Sequence, residues 1–198
     1  MNISLNLWKC ILCVPFVNLL GHIVCHDRVL VDPTKTTIIV YFPSSTHVKH
    51  LRSTLGHTWY YRWFICNYDS ITTPLEQLLN KVETFNWIEY CEHTFAILKE
   101  KMVNAPILTF LNYLKEFHVY VDLLVTVFGF LLAQPRKGEI NHPIYFANNK
   151  LAQVERNYTT IEREGLVMIY ALQKLCHYFL GGCFKSFHGS FTSQVSCE

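Results

Sequence analysis

The spacing of apolar residues changes character near residue 115. Downstream of it the pattern alternates. Phe117, Val119 and Val121 fall on one side, and His118, Tyr120 and Asp122 on the other. That is the two-residue period of a strand. A second strand is expected over about 128–133, a turn at Pro135-Arg136-Lys137-Gly138 and a third strand over 143–147. Three strands in succession most simply form an antiparallel meander. The longest helix follows. Thr159 and Glu162 have the spacing of a capping box, and Gly181-Gly182 is a C-terminal stop. Ile161, Gly165, Met168, Leu172 and Leu175 form its apolar stripe, with Glu164 on the same face.

Upstream the period is mostly helical. Thr46 is the expected cap of a helix carrying Val48, Leu51 and Leu55, and Gly56 its expected end. A short helix is expected from about Thr73 to Leu79, because Pro74 suits a first turn. Phe95, Leu98 and Met102 set the stripe of a helix over 89–103, ended by Asn104-Ala105-Pro106. Residues 8–25 hold two short apolar runs broken between Pro15 and Asn18, and read as a small hairpin or two strands. Ile38 to Phe42 fits either a short strand or the end of a helix. The pattern as a whole is α+β: a hairpin and helices, then a meander and a long helix.

Composition narrows this picture. The chain has 198 residues, 51% of them hydrophobic, which is enough for a sizeable core and argues against disorder. A net charge of +2 permits nucleic-acid binding without arguing for it. Eight cysteines at irregular spacing do not form a disulfide framework. Cys10, Cys13, His22 and Cys25 invite a zinc reading, but Asn18 and Ile23 stand where a zinc knuckle needs ligands. Buried, reduced thiols are the expectation. The apolar run over 10–25 is interrupted by Pro15, Asn18 and His22. It is also shorter than the roughly 20 residues of a membrane span. A membrane location and secretion are therefore disfavoured, leaving the cytoplasm or nucleus.

Asp122 and Glu164 are the two carboxylates set among apolar positions. Burying a carboxylate in a sheet is costly unless it is paired, protonated or bound to a metal. The two could share a divalent cation. Pattern alone leaves the plainer readings open: a turn-forming aspartate, and a glutamate paired with Arg163 or Lys174. The block Trp59-Tyr60-Tyr61-Arg62-Trp63-Phe64 fits core packing between helices, with base stacking as the sharper alternative. Lys49, His50, Arg52 and Arg62 are the candidate phosphate contacts, and Tyr60 or Tyr61 the candidate stacking platform.

Several stretches carry a family resemblance. GHIVCHDRVLVDPTK, LRSTLGHTWYYRWFICNYDSITTPLEQLL and FNWIEYCEHTFAILKEKMVNAPIL come in this order, followed by EFHVYVD, GFLLAQP, HPIYFANNKL and NYTTIEREGLVMIYALQKLCHYFLGG. Together they resemble the pol polyprotein of gypsy-class LTR retrotransposons over nearly the whole chain. The resemblance implies that residues 1–26 end a reverse-transcriptase palm and that 27–85 form a helical thumb. It makes 86–112 a connecting helix and 113–198 a partial ribonuclease H-like domain with a truncated mixed sheet. It implies RNA-directed DNA synthesis and metal-dependent hydrolysis of RNA in RNA–DNA hybrids as the family activities. Mg²⁺ would be the cofactor. RNA–DNA hybrid or template–primer duplex, and other pol chains, would be the partners.

Asp122 matches the first catalytic aspartate of that domain and Glu164 its helical glutamate, both metal ligands in the family. Lys49, Arg52, Tyr61 and Arg62 fall on the thumb as its nucleic-acid contacts. The departures are specific. Leu123-Leu124 replaces the family's Ala-Ser, and Gly189 stands where a Thr-Asp-His triplet places a third carboxylate. The final aspartate is expected beyond residue 198 and the polymerase aspartates before residue 1. The expectation is a fragment without polymerase or nuclease activity and with weak or no Mg²⁺ binding. A non-catalytic nucleic-acid-binding module and a decayed relic are its alternatives.

Overall fold

The computed structural model describes residues 4, 6, 8, 10–80, 84–135, 141–179 and 184–188. The first unit is a four-stranded antiparallel sheet of β1 (Phe16–Leu19), β2 (His22–Cys25), β3 (Arg28–Val31) and β4 (Leu108–Thr109), in that order. The hairpin lies where the apolar runs suggested, but the strand forms at the presumed break and the reversal falls on Leu20-Gly21. Both turn residues have positive φ, 52° and 77°, as a two-residue hairpin turn with the twist of its strands requires. A Cβ on Gly21 would lie 2.7 Å from the Tyr61 hydroxyl oxygen, so the position is closed to side chains.

Asp32 ends this hairpin unit and caps α1 (Pro33–Val40). Its carboxylate accepts from the Asn18 amide at 2.6 Å, and from the Thr34 backbone N–H at 2.9 Å and hydroxyl at 2.8 Å. Asn18 first, then Thr34, hold this carboxyl below its ordinary range. A carboxyl depressed by folding stabilises the native state above its unfolded value of about 3.9, and the contribution is lost as pH falls through the folded value. Asp32→Asn is therefore expected to flatten the acid limb of a stability–pH curve measured by urea denaturation between neutrality and pH 3.

The helices follow the expected pattern with three differences. In α2 (Val48–Trp59) the cap is His47, whose Nδ1 accepts from the His50 N–H at 3.0 Å, rather than Thr46. The helix also runs through Gly56. α3 (Tyr68–Gln77) starts five residues before the expected Thr73 and carries Pro74 inside it. The Thr73 hydroxyl donates to the Asp69 carbonyl at 2.6 Å in this turn. Ile38 to Val40 belong to the end of α1. α4 (Glu89–Val103) buries Phe95, Leu98 and Met102 as its stripe requires.

The second sheet has the order β7-β6-β5-β8, with β5 (Phe117–Leu123), β6 (Val127–Pro135) and β7 (Asn141–Lys150) as an antiparallel meander. β8 (Phe184–His188) lies parallel to β5, with Phe184 opposite Phe117. β6 is buried from Val127 to Gln134, as befits a central strand covered on both faces. One face packs Phe117, Val119, Val121, Phe130 and Leu132 against Val167, Ala171 and Leu175 of α5 (Thr160–Phe179). The other joins Tyr120, Leu131, Ala133 and Phe146 to a cluster with Phe64, Ile65, Tyr68 and Leu98. The sheet is thus sandwiched between α5 and the helical segment.

α5 begins with the capping box. Thr159 donates to Glu162 through its N–H at 2.8 Å and its hydroxyl at 2.9 Å, and the Glu162 N–H returns to the hydroxyl at 3.3 Å. Its buried stripe is rotated from the expected one. Val167, Ala171 and Leu175 face the sheet, while Ile161 is 81% exposed. The turn at 136–138 and Gly181-Gly182 lie outside the described residues.

Candidate functional site

Asp122 stands near the end of β5, opposite Gly129 of β6. Strand alternation places it with Tyr120, on the face away from α5. Its Oδ2 accepts from the Asn67 amide nitrogen at 3.3 Å. Gly129 makes room for this arrangement. A Cβ there would lie 2.6 Å from the Asn148 amide oxygen, 3.1 Å from the Ala147 carbonyl and 3.5 Å from the Asn67 amide oxygen. Asp122, Asn67 and Asn148 therefore meet over one glycine.

Glu164 is half-buried on α5, one turn before Val167, on the helix that covers the opposite face. Asp122 turns toward the helical segment, where the Asn67 amide meets it. Among the described residues no three His, Cys, Asp or Glu side chains gather as a metal-binding group. A two-metal site needs several converging carboxylates. The donor set formed by the described residues does not fit that requirement. Gly189, at the expected third position, lies outside the described residues and as glycine carries no ligand. The cysteines of the zinc reading are not buried as expected: Cys13 is exposed, and Cys10 and Cys25 are half-buried.

The candidate nucleic-acid contacts divide. Lys49 and Arg52 are exposed on α2, and one turn further Gly56 has no atom within 4 Å of its Cβ position. Arg62 is exposed, its guanidinium 4.0 Å from the centroid of Trp59. Tyr61 is only 4% exposed, and its hydroxyl donates to the Gly21 carbonyl at 3.3 Å. It belongs to the core and presents no face to a base. In the aromatic block Trp59, Tyr60 and Trp63 are the exposed members.

A cavity of about 30 Å³, roughly one water molecule, lies where the helical segment meets α5 and β7. Arg62, Asp69, Asn148, Tyr170 and Lys174 line it. Burial raises the Asp69 carboxyl, and Glu76 adds to the rise. Lys150 of β7 is paired with Glu76 of α3 at 2.5 Å. Polar bonds as well as apolar packing therefore tie the helical segment to the sheet. Asn67 and Asn148 were invisible as site residues in the sequence. Asparagine's tolerance of left-handed backbone was the one available signal at Asn67.

Among the described residues no helix is long and apolar enough to cross a membrane. The family model of the RNase H-like domain found in reverse transcriptase matches residues 87–187. Two Drosophila melanogaster retrovirus-related Pol polyproteins are similar in sequence. That of transposon 297 is 37% identical, covering 91% of this chain and 17% of its own length. That of transposon gypsy is 30% identical, covering 83% and 17%. The chain thus spans about a sixth of these relatives. Among solved structures, a foamy viral protease-reverse transcriptase in complex with double-stranded DNA aligns with a TM-score of 0.76 at 20% identity. It covers 89% of this chain and 37% of that one. The same viral protein in complex with an RNA/DNA hybrid gives 0.74, covering 88% and 24%. The matched segment runs from α4 through the meander and α5 into β8, and by it the chain belongs to the RNase H-like domain family found in reverse transcriptase, as a homologue of gypsy-class retrotransposon Pol.

Proposed function

We propose that this chain is a segment of a retroelement polymerase that has lost hydrolytic activity. In this reading residues 1–26 end the palm, 27–85 are the thumb, 86–112 the connecting helix and 113–198 a partial ribonuclease H-like domain. The engagement of Asp122 carries the reading. Its carboxylate is turned to Asn67, Leu123-Leu124 follows it, and Gly189 offers no third ligand. Removing one ligand from a two-metal clamp costs orders of magnitude in rate.

A second reading, retained duplex binding without cleavage, is favoured by α2. Lys49, Arg52 and Gly56 succeed one another on an exposed helix face. Two cations beside a bare glycine suit the close approach of a phosphate backbone. The names of the aligned viral structures, bound to double-stranded DNA and to an RNA/DNA hybrid, support the same class of partner.

One experiment tests both. Purified protein is incubated with labelled RNA–DNA hybrid in Mg²⁺ and in Mn²⁺, beside Asp122→Asn, and binding is titrated against salt. The expected result is no cleavage by either protein. The expected binding weakens with salt, and its logarithmic slope falls by about two units in Lys49→Ala/Arg52→Ala, roughly 0.9 per phosphate contact. Cleavage that Asp122→Asn abolishes would overturn the first reading. Binding indifferent to salt and to the double substitution would overturn the second.

A further inference from the structure

Asn67 sits at an unusual position in the helical segment. Its backbone is left-handed, φ 56°, a region that asparagine enters more readily than other residues with a Cβ. It is also the residue that starts α3. Its carbonyl accepts from the Ser70 N–H at 3.0 Å and the Ile71 N–H at 3.1 Å. A helix-starting asparagine ordinarily uses its side chain to cap the first turn, yet Asn67 makes no such bond. Its amide reaches across to Asp122, 55 residues away in sequence. The neighbouring strand has Gly129 beside Asp122, where a Cβ would come within 2.6 Å of the Asn148 amide oxygen and 3.1 Å of the Ala147 carbonyl. The left-handed backbone and the forgone cap accompany the same contact.

The geometry points to a polar latch: Asp122 and Asn67 together fix the start of α3 to the sheet face opposite α5. The aspartate acts here as a hydrogen-bond acceptor in a seam between two parts of the chain. The role needs an oxygen acceptor at Asp122 and does not need its charge. A metal ligand in a two-metal site would need the charge. This distinction makes the latch testable independently of any cleavage.

The test is a double-mutant cycle read by thermal unfolding, with Asp122→Ala, Asn67→Gly and the pair. Glycine accepts the left-handed backbone, so Asn67→Gly removes the amide without straining the turn. Each single change is expected to lower the midpoint by about 3 °C, from the usual net strength of a hydrogen bond in a chain of this size. The pair should fall little further than either single change. Asp122→Asn, which keeps an acceptor oxygen, is expected to stay within about 2 °C of the parent. Amide exchange over Tyr68–Ile71 should quicken alike in Asp122→Ala and Asn67→Gly. Additive losses in the cycle would overturn the latch. So would a midpoint that Mg²⁺ raises in the parent but not in Asp122→Asn, because the carboxylate would then serve a metal. Should Asp122→Ala fail to fold, Asp122→Asn against Asn67→Gly still decides. A full-sized loss in Asp122→Asn with none in Asn67→Gly would sink the proposal.

Discussion

Phe130→Ala is expected to lower the unfolding free energy by about 3–5 kcal/mol, the usual cost of deleting a buried phenyl ring. Phe130 is 1% exposed in the central strand β6. Its ring lies 6.1 Å from Tyr170 of α5 and 6.2 Å from Tyr145 of β7, centroid to centroid. It therefore sits where the helix, the central strand and the outer strand meet. The loss should fall at the high end if α5 cannot settle toward the strand, because the cavity then keeps its volume. Urea denaturation followed by tryptophan fluorescence gives the number. A loss under about 1 kcal/mol would mean that this face of the sheet is loosely packed. Phe130→Leu should recover more than half, since it restores most of the volume.

Phe64→Ala is the second large effect, again about 3–5 kcal/mol, and it acts on the other face. Phe64 is 2% exposed and stacks on His22 with centroids 5.6 Å apart and planes 21° apart. His22 in turn touches Tyr60 at 5.4 Å and Tyr61 at 5.5 Å. Phe64 is thus the point at which the first hairpin leans on the helical segment and, through the shared cluster with Tyr120 and Leu131, on the second sheet. Its loss should loosen the hairpin as well as lower global stability. Amide exchange in β2 is expected to accelerate more in Phe64→Ala than in Phe130→Ala at matched stability. Equal acceleration would show that the hairpin is held by something other than this aromatic cluster. Phe64 and Phe130 belong to different clusters, so the double variant should lose close to the sum.

Much of this architecture was legible in the sequence, and the reasons differ by element. The capping box of α5 and the apolar stripe of α4 are local, and both formed. The meander was legible because alternation registers one-sided burial. Its strands proved longer than expected, because β6 is buried on both faces and keeps no alternation at its ends. The hairpin turn was misplaced, because Leu20 bears a positive φ that leucine seldom adopts. Tyr61 was read as a possible stacking platform, but in a continuous aromatic block the helical phase decides which ring turns inward. That phase depends on how α2 ends. Gly56 was expected to end α2 and does not. At the site, Asp122 and Glu164 stood out as carboxylates among apolar residues. What Asp122 touches could not be read, since Asn67 lies far away in sequence and no local pattern links them. The rotation of α5 that turns Val167 inward and leaves Ile161 exposed was equally hidden, because leucine, isoleucine and valine crowd the helix on more than one side.

The parallel pairing of β8 with β5 bears on how the chain is made. A ribosome delivers β5, β6 and β7 in one run, and hairpin pairing lets them assemble as they emerge. The partner that covers the free side of β5 comes only after the whole of α5. During that interval β5 is a terminal strand with an open row of backbone donors and acceptors, carrying Val119, Tyr120 and Val121. Such an edge is the ordinary starting point for strand-to-strand association between nascent chains. Closing the sheet also requires a long loop to be drawn together before the contact offsets its entropy, so this step is slow relative to the hairpins. Synthesis that pauses within α5 would prolong the vulnerable interval, and synthesis that runs quickly through β8 would shorten it.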